Sequence, residues 1–202
     1  QIHITRTLQN AIGMDRVAHG YLFAGPRGVG KTTTARILAK VLSCENPQDK
    51  HPCNKCANCR DITKGSSLDV QELDGASNRG IDEIRGLREA VKYPPNSGEY
   101  RIYIIDEVHM LTREAFNALL KTLEEPPPHI VFIMATTDAH KVPATILSRT
   151  QKFDFKPIAL NDISTYLKGI LNSEKITYDD EGICLISQKA DGSLRDALSI
   201  LD

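Results

Sequence analysis

From Leu22 to Thr32 the chain reads Leu-Phe-Ala-Gly-Pro-Arg-Gly-Val-Gly-Lys-Thr, the stretch that most restricts what it can fold into. A short apolar run suited to a strand, with Tyr21 at its start, leads into a turn of spacing G-x-x-x-x-G-K-[ST]; a helix-forming run then continues to about Leu42. Gly25, Gly28 and Gly30 can take backbone angles that aim successive N–H groups inward, with Pro26, Arg27 and Val29 filling the loop between them. The start of the following helix, Lys31-Thr32-Thr33, adds partial positive charge. Such a turn is a phosphate cradle. Lys31 is placed for the outer phosphates of a nucleotide and the Thr32 hydroxyl for Mg²⁺. The strand before it and the helix after it separate this turn from a chance match.

A second run supports the first. Tyr100 to Ile105 is unbroken and β-rich, as in a strand covered on both faces of a parallel sheet, and it ends in Asp106-Glu107-Val108-His109. Carboxylates at the end of such a strand fall in the crevice where open α/β sheets bind ligands. Asp106 suits the Mg²⁺ shell and Glu107 a general base that polarises water. Taken alone, acidic pairs after strands are ordinary; the Lys31 turn upstream gives this one its meaning. Leu68 to Leu73, Ile130 to Ala135 and Gln151 to Phe155 read as further strands, so five strands alternate with helices in a doubly wound α/β pattern. Thr137, after the fourth strand, is placed for a γ-phosphate or the attacking water, although Thr-Thr closing a strand is also ordinary turn chemistry. A helix over 3–12 precedes the first strand, another follows Thr112, and a short one at 143–148 brings Arg149.

Past Lys156-Pro157 no strand-like run occurs. Asn161, Asp179 and Ser193 are expected to cap three helices, making 157–202 a small helical domain behind a nucleotide-binding domain at 1–156. Arg195 in the last helix is either a surface ion-pair partner or a cation that touches nucleotide when the helical unit folds over the cradle. The chain starts abruptly at Gln1 and stops at Asp202 inside a helix, so it reads as a fragment with an incomplete second domain.

Between the first long helix and the second strand stand Cys44, Cys53, Cys56 and Cys59, in the order C-x₈-C-x₂-C-x₂-C. Four thiolates suit a closed, structural Zn²⁺ site. Disulfides, which a reducing cytosol disfavours, and an iron–sulfur cluster are the alternatives; the knuckle-like C-x₂-C pairs favour zinc. His51, between ligands, is expected in solvent, and Cys184, among Ile183, Leu185 and Ile186, in the core. The loop Gly75 to Gly80 is either a capped turn or a phosphate-backbone contact through Ser77, Asn78 and Arg79.

Composition excludes several classes. With 25 basic and 26 acidic side chains the net charge is −1, so no global positive field draws the chain to DNA or a membrane. The sequence contains neither an 18-residue apolar run nor a secretory leader, and a cytoplasmic setting is the expectation. With 5% aromatic residues and no Trp, it offers no stacking platform for single strands.

Together these motifs resemble the gamma/tau subunits of the bacterial DNA polymerase III clamp loader, within the AAA+ ATPases, along essentially the whole chain. Gly25 to Thr32 is similar to that family's Walker A, and Ile104 to His109 to its Walker B in the form DEVH. Phe116 to Pro127 is similar to its most recognisable run. Thr137 corresponds to sensor 1, Ser148-Arg149 to the arginine-finger motif, Gly192 to Asp196 to sensor 2, and the cysteines to an inserted zinc module at 44–59. One departure is Thr150, where the family usually carries cysteine after the finger. The resemblance implies an AAA+ P-loop sheet with a helical lid, binding ATP or ADP with Mg²⁺ and a structural Zn²⁺. It further implies hydrolysis through Lys31, Glu107, Thr137 and Arg195, with Arg149 completing a neighbouring subunit's site. The implied partners are delta, delta-prime, further gamma/tau copies, a sliding clamp and primer–template DNA. Such a subunit loads the clamp and shares a holoenzyme with a DNA-directed DNA polymerase, but no polymerase carboxylate constellation is present, so nucleotidyltransferase chemistry is not expected of this chain. A non-hydrolysing subunit of delta-prime type and another AAA+ DNA motor are the rival readings. The complete Gly-Lys-Thr turn counts against the first and the cysteine insertion against the second.

Overall fold

The computed structural model describes residues 1–77 and 80–202. Among these, five strands form one all-parallel sheet: β1 (Gly20–Ala24), β2 (Val70–Asp74), β3 (Arg101–Asp106), β4 (Ile130–Thr136) and β5 (Gln151–Asp154), in the order β2-β3-β4-β1-β5. The unbroken apolar runs lie at the centre. Leu22, Phe23, Phe132, Ile133 and Met134 have no exposed surface, as strands roofed on both faces require. The edge strands carry the polar residues: Phe153 is the one buried position of β5, and β2 buries none fully.

Side-chain alternation divides the interior into two cores. Tyr21 and Phe23 face a layer in which α1 (Ile2–Gly13) and α2 (Lys31–Ser43) contribute Ile4, Leu8, Ala35 and Leu38. Leu22, Phe132 and Met134 face the opposite layer, where α4 (Ile81–Ala90), α5 (Arg113–Glu124) and α6 (Ala144–Leu147) supply Leu87, Leu119, Leu123 and Ile146. The short α3 (Ala57–Lys64) packs on α2. β2 starts at Val70 rather than Leu68 because Asp69 turns inward onto the backbone N–H groups of Asn96 and Ser97, leaving Leu68 exposed.

Three helices follow the sheet: α7 (Leu160–Ser173), α8 (Asp180–Lys189) and α9 (Leu194–Leu201). They enclose a separate core of Ile163, Leu167, Leu171, Ile183, Ala190 and Ala197. Asp179 and Ser193 cap α8 and α9 through the N–H groups of Gly182 and Asp196, as expected. Asn161 does not cap α7. That helix starts at Leu160 with Ala159 at the cap position, and Ala159 O accepts from Asp162 and Ile163 N–H. Seating Ile163 and Leu167 in the core outweighs the cap that Asn161 could have formed. Cys184 is half-buried rather than in the core; Ile183 is the residue of α8 that reaches inward. No described helix is long and apolar enough to cross a membrane.

Candidate functional site

The C-terminal ends of three adjacent strands meet at one level. Ala24 of β1 pairs with Thr136 of β4, and Ile105 of β3 with Met134, so Gly25, Asp106 and Thr136 emerge side by side. The turn from Gly25 to Gly30 crosses this edge into α2, with Gly30 at φ 96° where only a residue lacking Cβ is unstrained. Gly28, at φ 71°, is also a close approach: a Cβ there would collide with Ser193 Oγ, and Gly28 O accepts the N–H of Leu194 at 3.0 Å. The cradle therefore touches the first turn of α9, and together they bound a cleft of about 520 Å³.

The cleft brings together most residues singled out in the sequence. Arg27, Gly28, Val29, Gly30, Lys31, Thr32, Thr33, Asp106, Glu107 and Arg195 line it. Gly25 and Pro26 take part through their carbonyls, which accept Lys31 Nζ at 2.8 and 2.7 Å. Lys31 is only 6% exposed. Burial pushes its ammonium below the ordinary lysine range, Glu107 and Asp106 pull it back up, and Arg195 adds to the depression. Thr32 Oγ1 donates to Asp106 Oδ2 at 2.6 Å, so the two groups expected to share a magnesium ion already touch. Magnesium takes hard oxygen ligands and keeps several waters, and this hydroxyl and carboxylate fit its usual protein share. On the opposite wall Leu194 belongs to the run matched to sensor 2, whereas Ile158, Leu198 and Ser199 carry no sequence motif.

Thr137 points at Glu107 rather than into open space, donating to Glu107 Oε2 from Oγ1 at 2.9 Å and from its N–H at 3.3 Å. Arg149 does not line the cleft. It bonds Thr145 O at 2.9 Å and Glu124 Oε1 at 3.1 Å, on the outer side of α5 and α6. Arg27 pairs with Asp196 at 3.1 Å across the seam between cradle and α9, a largely exposed contact of small energetic weight. Ser77 spends its hydroxyl on Asp74 Oδ2 at 2.7 Å within a tight turn. Asn78 and Arg79 lie outside the described residues.

The four cysteines meet at a second site. Cys44 ends α2, Cys53 sits in the loop, Cys56 caps α3 and Cys59 lies buried in its first turn. Their sulfurs lie within 4.8 Å of one another, and none is in a disulfide. Four thiolates at about 2.3 Å from one zinc ion would stand about 3.8 Å apart, so the grouping fits a single tetrahedral ion. An iron–sulfur cube would hold the sulfurs farther apart, because its own atoms lie between them. Backbone N–H groups already face the sulfurs: Cys53 N–H to Cys44 Sγ at 3.3 Å, Cys56 N–H to Cys53 Sγ at 3.3 Å and Cys59 N–H to Cys56 Sγ at 3.4 Å. Donors from Lys55 and Cys56 bring the Cys53 thiol down to about 6, while burial pushes that of Cys59 up to about 12. His51 is not among the grouped ligands and is exposed, as expected, with Nε2 3.1 Å from Gln9 Nε2 of α1.

Known proteins agree with this architecture. A family model described as DNA polymerase III, delta subunit, matches residues 1–159, and one described as DNA polymerase III clamp loader subunit, ATPase lid domain, matches 162–202. Among curated relatives, DNA polymerase III subunit tau of Bacillus subtilis is 54% identical over the whole chain, which spans 36% of that protein. Subunit tau of Escherichia coli is 48% identical over the whole chain, spanning 31% of it. Subunit gamma of Buchnera aphidicola (Baizongia pistaciae) is 47% identical, again over the whole chain and spanning 55% of it. The chain thus covers about a third of the tau relatives and about half of this gamma relative. Among solved structures, the RuvB Holliday junction branch migration motor of Thermotoga maritima superposes with a TM-score of 0.69 over 98% of this chain and 59% of that one, at 17% identity. That likeness shows the fold alone. With the two family models and the identities to tau and gamma along the whole of this chain, it belongs to the DNA polymerase III gamma/tau clamp-loader family.

Proposed function

We propose that this chain is the ATP-binding and ATP-hydrolysing part of a replicative sliding-clamp loader within the DNA polymerase III holoenzyme. The observation that carries the reading is the contact of Thr32 with Asp106 beside Lys31, in one cleft and at the end of the central strands. In this reading 1–156 form the nucleotide-binding domain with a zinc module at 44–59, and 157–202 form the helical lid.

Phosphoryl transfer needs positioning and charge neutralisation more than covalent help. Lys31, now bonded to the carbonyls of Gly25 and Pro26, exchanges them for β- and γ-phosphate oxygens. Thr32 and Asp106 would hold Mg²⁺, which would supply charge neutralisation to the phosphates. Glu107 orients the water, Thr137 its neighbourhood, and Arg195 reaches the phosphates from the lid. Arg149 faces away from this cleft and serves the site of an adjoining subunit, in trans, at on the order of 10³ to 10⁵ in rate. ATP binding then closes lid on cradle, and the ring opens a sliding clamp and places it on primer–template DNA. Hydrolysis releases it. The partners are delta, delta-prime and further gamma/tau copies, and the setting is cytoplasmic. Cys44, Cys53, Cys56 and Cys59 hold Zn²⁺ as a structural ion.

A second reading, a non-hydrolysing delta-prime-type scaffold, draws on the description of the family model that matches 1–159. It leaves Lys31, Thr32 and Glu107 without a task. ATP turnover by the full-length protein with its partner subunits, measured with and without sliding clamp and primed DNA, separates the readings. Turnover that clamp and DNA stimulate supports the proposal; nucleotide binding without turnover favours the scaffold, and stimulation by branched DNA alone overturns both.

A further inference from the structure

His109 sits in a short 3-10 turn, Val108–Met110, just beyond the acidic pair, and its side chain is only 10% exposed. Its Nδ1 lies 3.0 Å from Thr136 Oγ1 and 3.3 Å from Glu107 Oε2. Two oxygens therefore face one ring nitrogen. A lone pair on Nδ1 would oppose the carboxylate, whereas a proton there faces an acceptor on either side, and the Nδ1–H tautomer is assigned on that ground. Thr136 is itself buried and accepts the N–H of Asp138 at 3.0 Å, so the wall behind the ring is braced.

The same Oε2 of Glu107 also receives the N–H and hydroxyl of Thr137. Two donors of Thr137 bond that oxygen and the His109 ring nitrogen stands 3.3 Å from it, while Oε1 accepts no hydrogen bond among the described residues. Glu107 reaches this arrangement from a left-handed backbone, φ 44° and ψ 46°, a conformation a glutamate keeps only when its surroundings impose it.

We infer that His109 is a positioning residue for hydrolysis: with Thr137 it holds the Oε2 side of Glu107, so that Oε1 is the oxygen that takes a proton from water. The inference rests on the ATPase reading above. In the step it serves, the water oxygen bonds to the γ-phosphorus, the bond from that phosphorus to the ADP oxygen breaks, and the water proton passes to Glu107 Oε1. When a γ-phosphate engages the Thr137 hydroxyl, His109 and the Thr137 N–H are the donors that keep the carboxylate in place. A histidine that merely filled space would be replaceable by any side chain of similar volume.

Steady-state ATP hydrolysis by the full-length protein in its native assembly tests this with His109→Ala, His109→Asn, His109→Gln and Glu107→Gln. An Asn amide nitrogen falls where Nδ1 was, whereas Gln carries its amide toward the Nε2 position. Losing one charge-assisted donor should lower kcat on the order of ten-fold in His109→Ala, with KM for ATP within about two-fold of wild type. His109→Asn should recover most of the loss and His109→Gln should not. Equal kcat for His109→Ala and wild type overturns the inference, and so do indistinguishable Asn and Gln variants. If the alanine variant fails to fold, the Asn-to-Gln comparison still decides. Absence of turnover by the wild-type assembly would remove the ATPase reading itself and full hydrolysis by Glu107→Gln the role of Glu107 as base, whereas loss in Glu107→Gln beside an intact His109→Ala removes only the role of His109.

Discussion

The cleft and the cysteine module are assembled in opposite ways. Lys31, Asp106 and Thr136 reach one place only because β1, β3 and β4 lie side by side, on strands whose Leu22, Phe23, Phe132 and Ile133 are fully buried. The module gathers its ligands between Cys44 and Cys59, and beneath it among its own residues only Cys59 and, in the following turns of α3, Ile62 are buried. One site is a consequence of a large apolar core; the other has almost no core and depends on sulfur chemistry. Removing the metal should therefore unmake the module and spare the cleft, whereas removing a cleft residue should abolish binding and spare the fold.

The largest expected effect is on the module. Structural zinc contributes on the order of 10 kcal/mol to small domains that cannot fold without it. Stripping the metal with a strong chelator, or the change Cys59→Ala, should abolish hydrogen-exchange protection across 44–64 while amides of β1, β3 and β4 keep theirs. A chain that binds no zinc, or one whose central strands lose protection along with the module, breaks the contrast.

Next in size is Lys31→Ala. On the proposed role of Lys31 this substitution would remove two charge-assisted bonds to phosphate, so ATP affinity by calorimetry should fall on the order of 10²-fold. Stability should not fall with it. Burial holds the Lys31 ammonium below its unfolded value, so below the folded pKa the native state carries an ionised group at a cost the unfolded chain lacks. That cost fades as pH rises through the folded value, and alanine removes it at every pH. The melting temperature at pH 7 should hold or rise; a drop of several degrees would show that the cradle helps to hold the core together.

How legible each region was follows from the same contrast. Periodicity gave the central strands because β1, β3 and β4 are apolar without interruption, and fixed spacing gave the cradle and the cysteines. Asp106 could be paired with Lys31 in advance because strand ends in a parallel sheet share one edge. What sequence could not supply were contacts set by tertiary packing. In the lid wall Ile158 stands before α7 and Leu198 reads as plain helix interior, and neither carries a motif. The place of His109 follows from the turn at Glu107, and only its position in the DEVH run hinted at it. Asn161 failed as a cap because burial of Ile163 fixed the start of α7.

The smallest effect concerns the seam between the two regions, where Asp69 forms a buried knot. Its Oδ1 accepts the backbone N–H and side-chain amide of Asn96 at 2.8 and 3.1 Å, and its Oδ2 accepts the backbone N–H of Ser97 at 2.8 Å. Ser97 Oγ lies 3.1 Å from both Asp69 Oδ2 and Asn58 Oδ1, and Asn58 Nδ2 donates to Ser43 O at 2.9 Å, so the knot ties α3 to the end of α2 and to the sheet. Burial would by itself raise the Asp69 pKa, but the donors from Asn96 and Ser97 hold it below the usual carboxylate range. Replacing one carboxylate oxygen by an amide in Asp69→Asn sets donor against donor and should cost about 1.5 to 3 kcal/mol in urea unfolding at pH 7. Because the folded pKa is depressed, the stabilisation is fully present above the unfolded value of about 3.9 and is lost as pH falls through the folded value. The gap between wild type and Asp69→Asn should thus narrow in acid. A gap that stays constant from neutral pH down into that range would mean that the ionised carboxylate is not what joins the module to the sheet, and the two regions would then be coupled by packing alone.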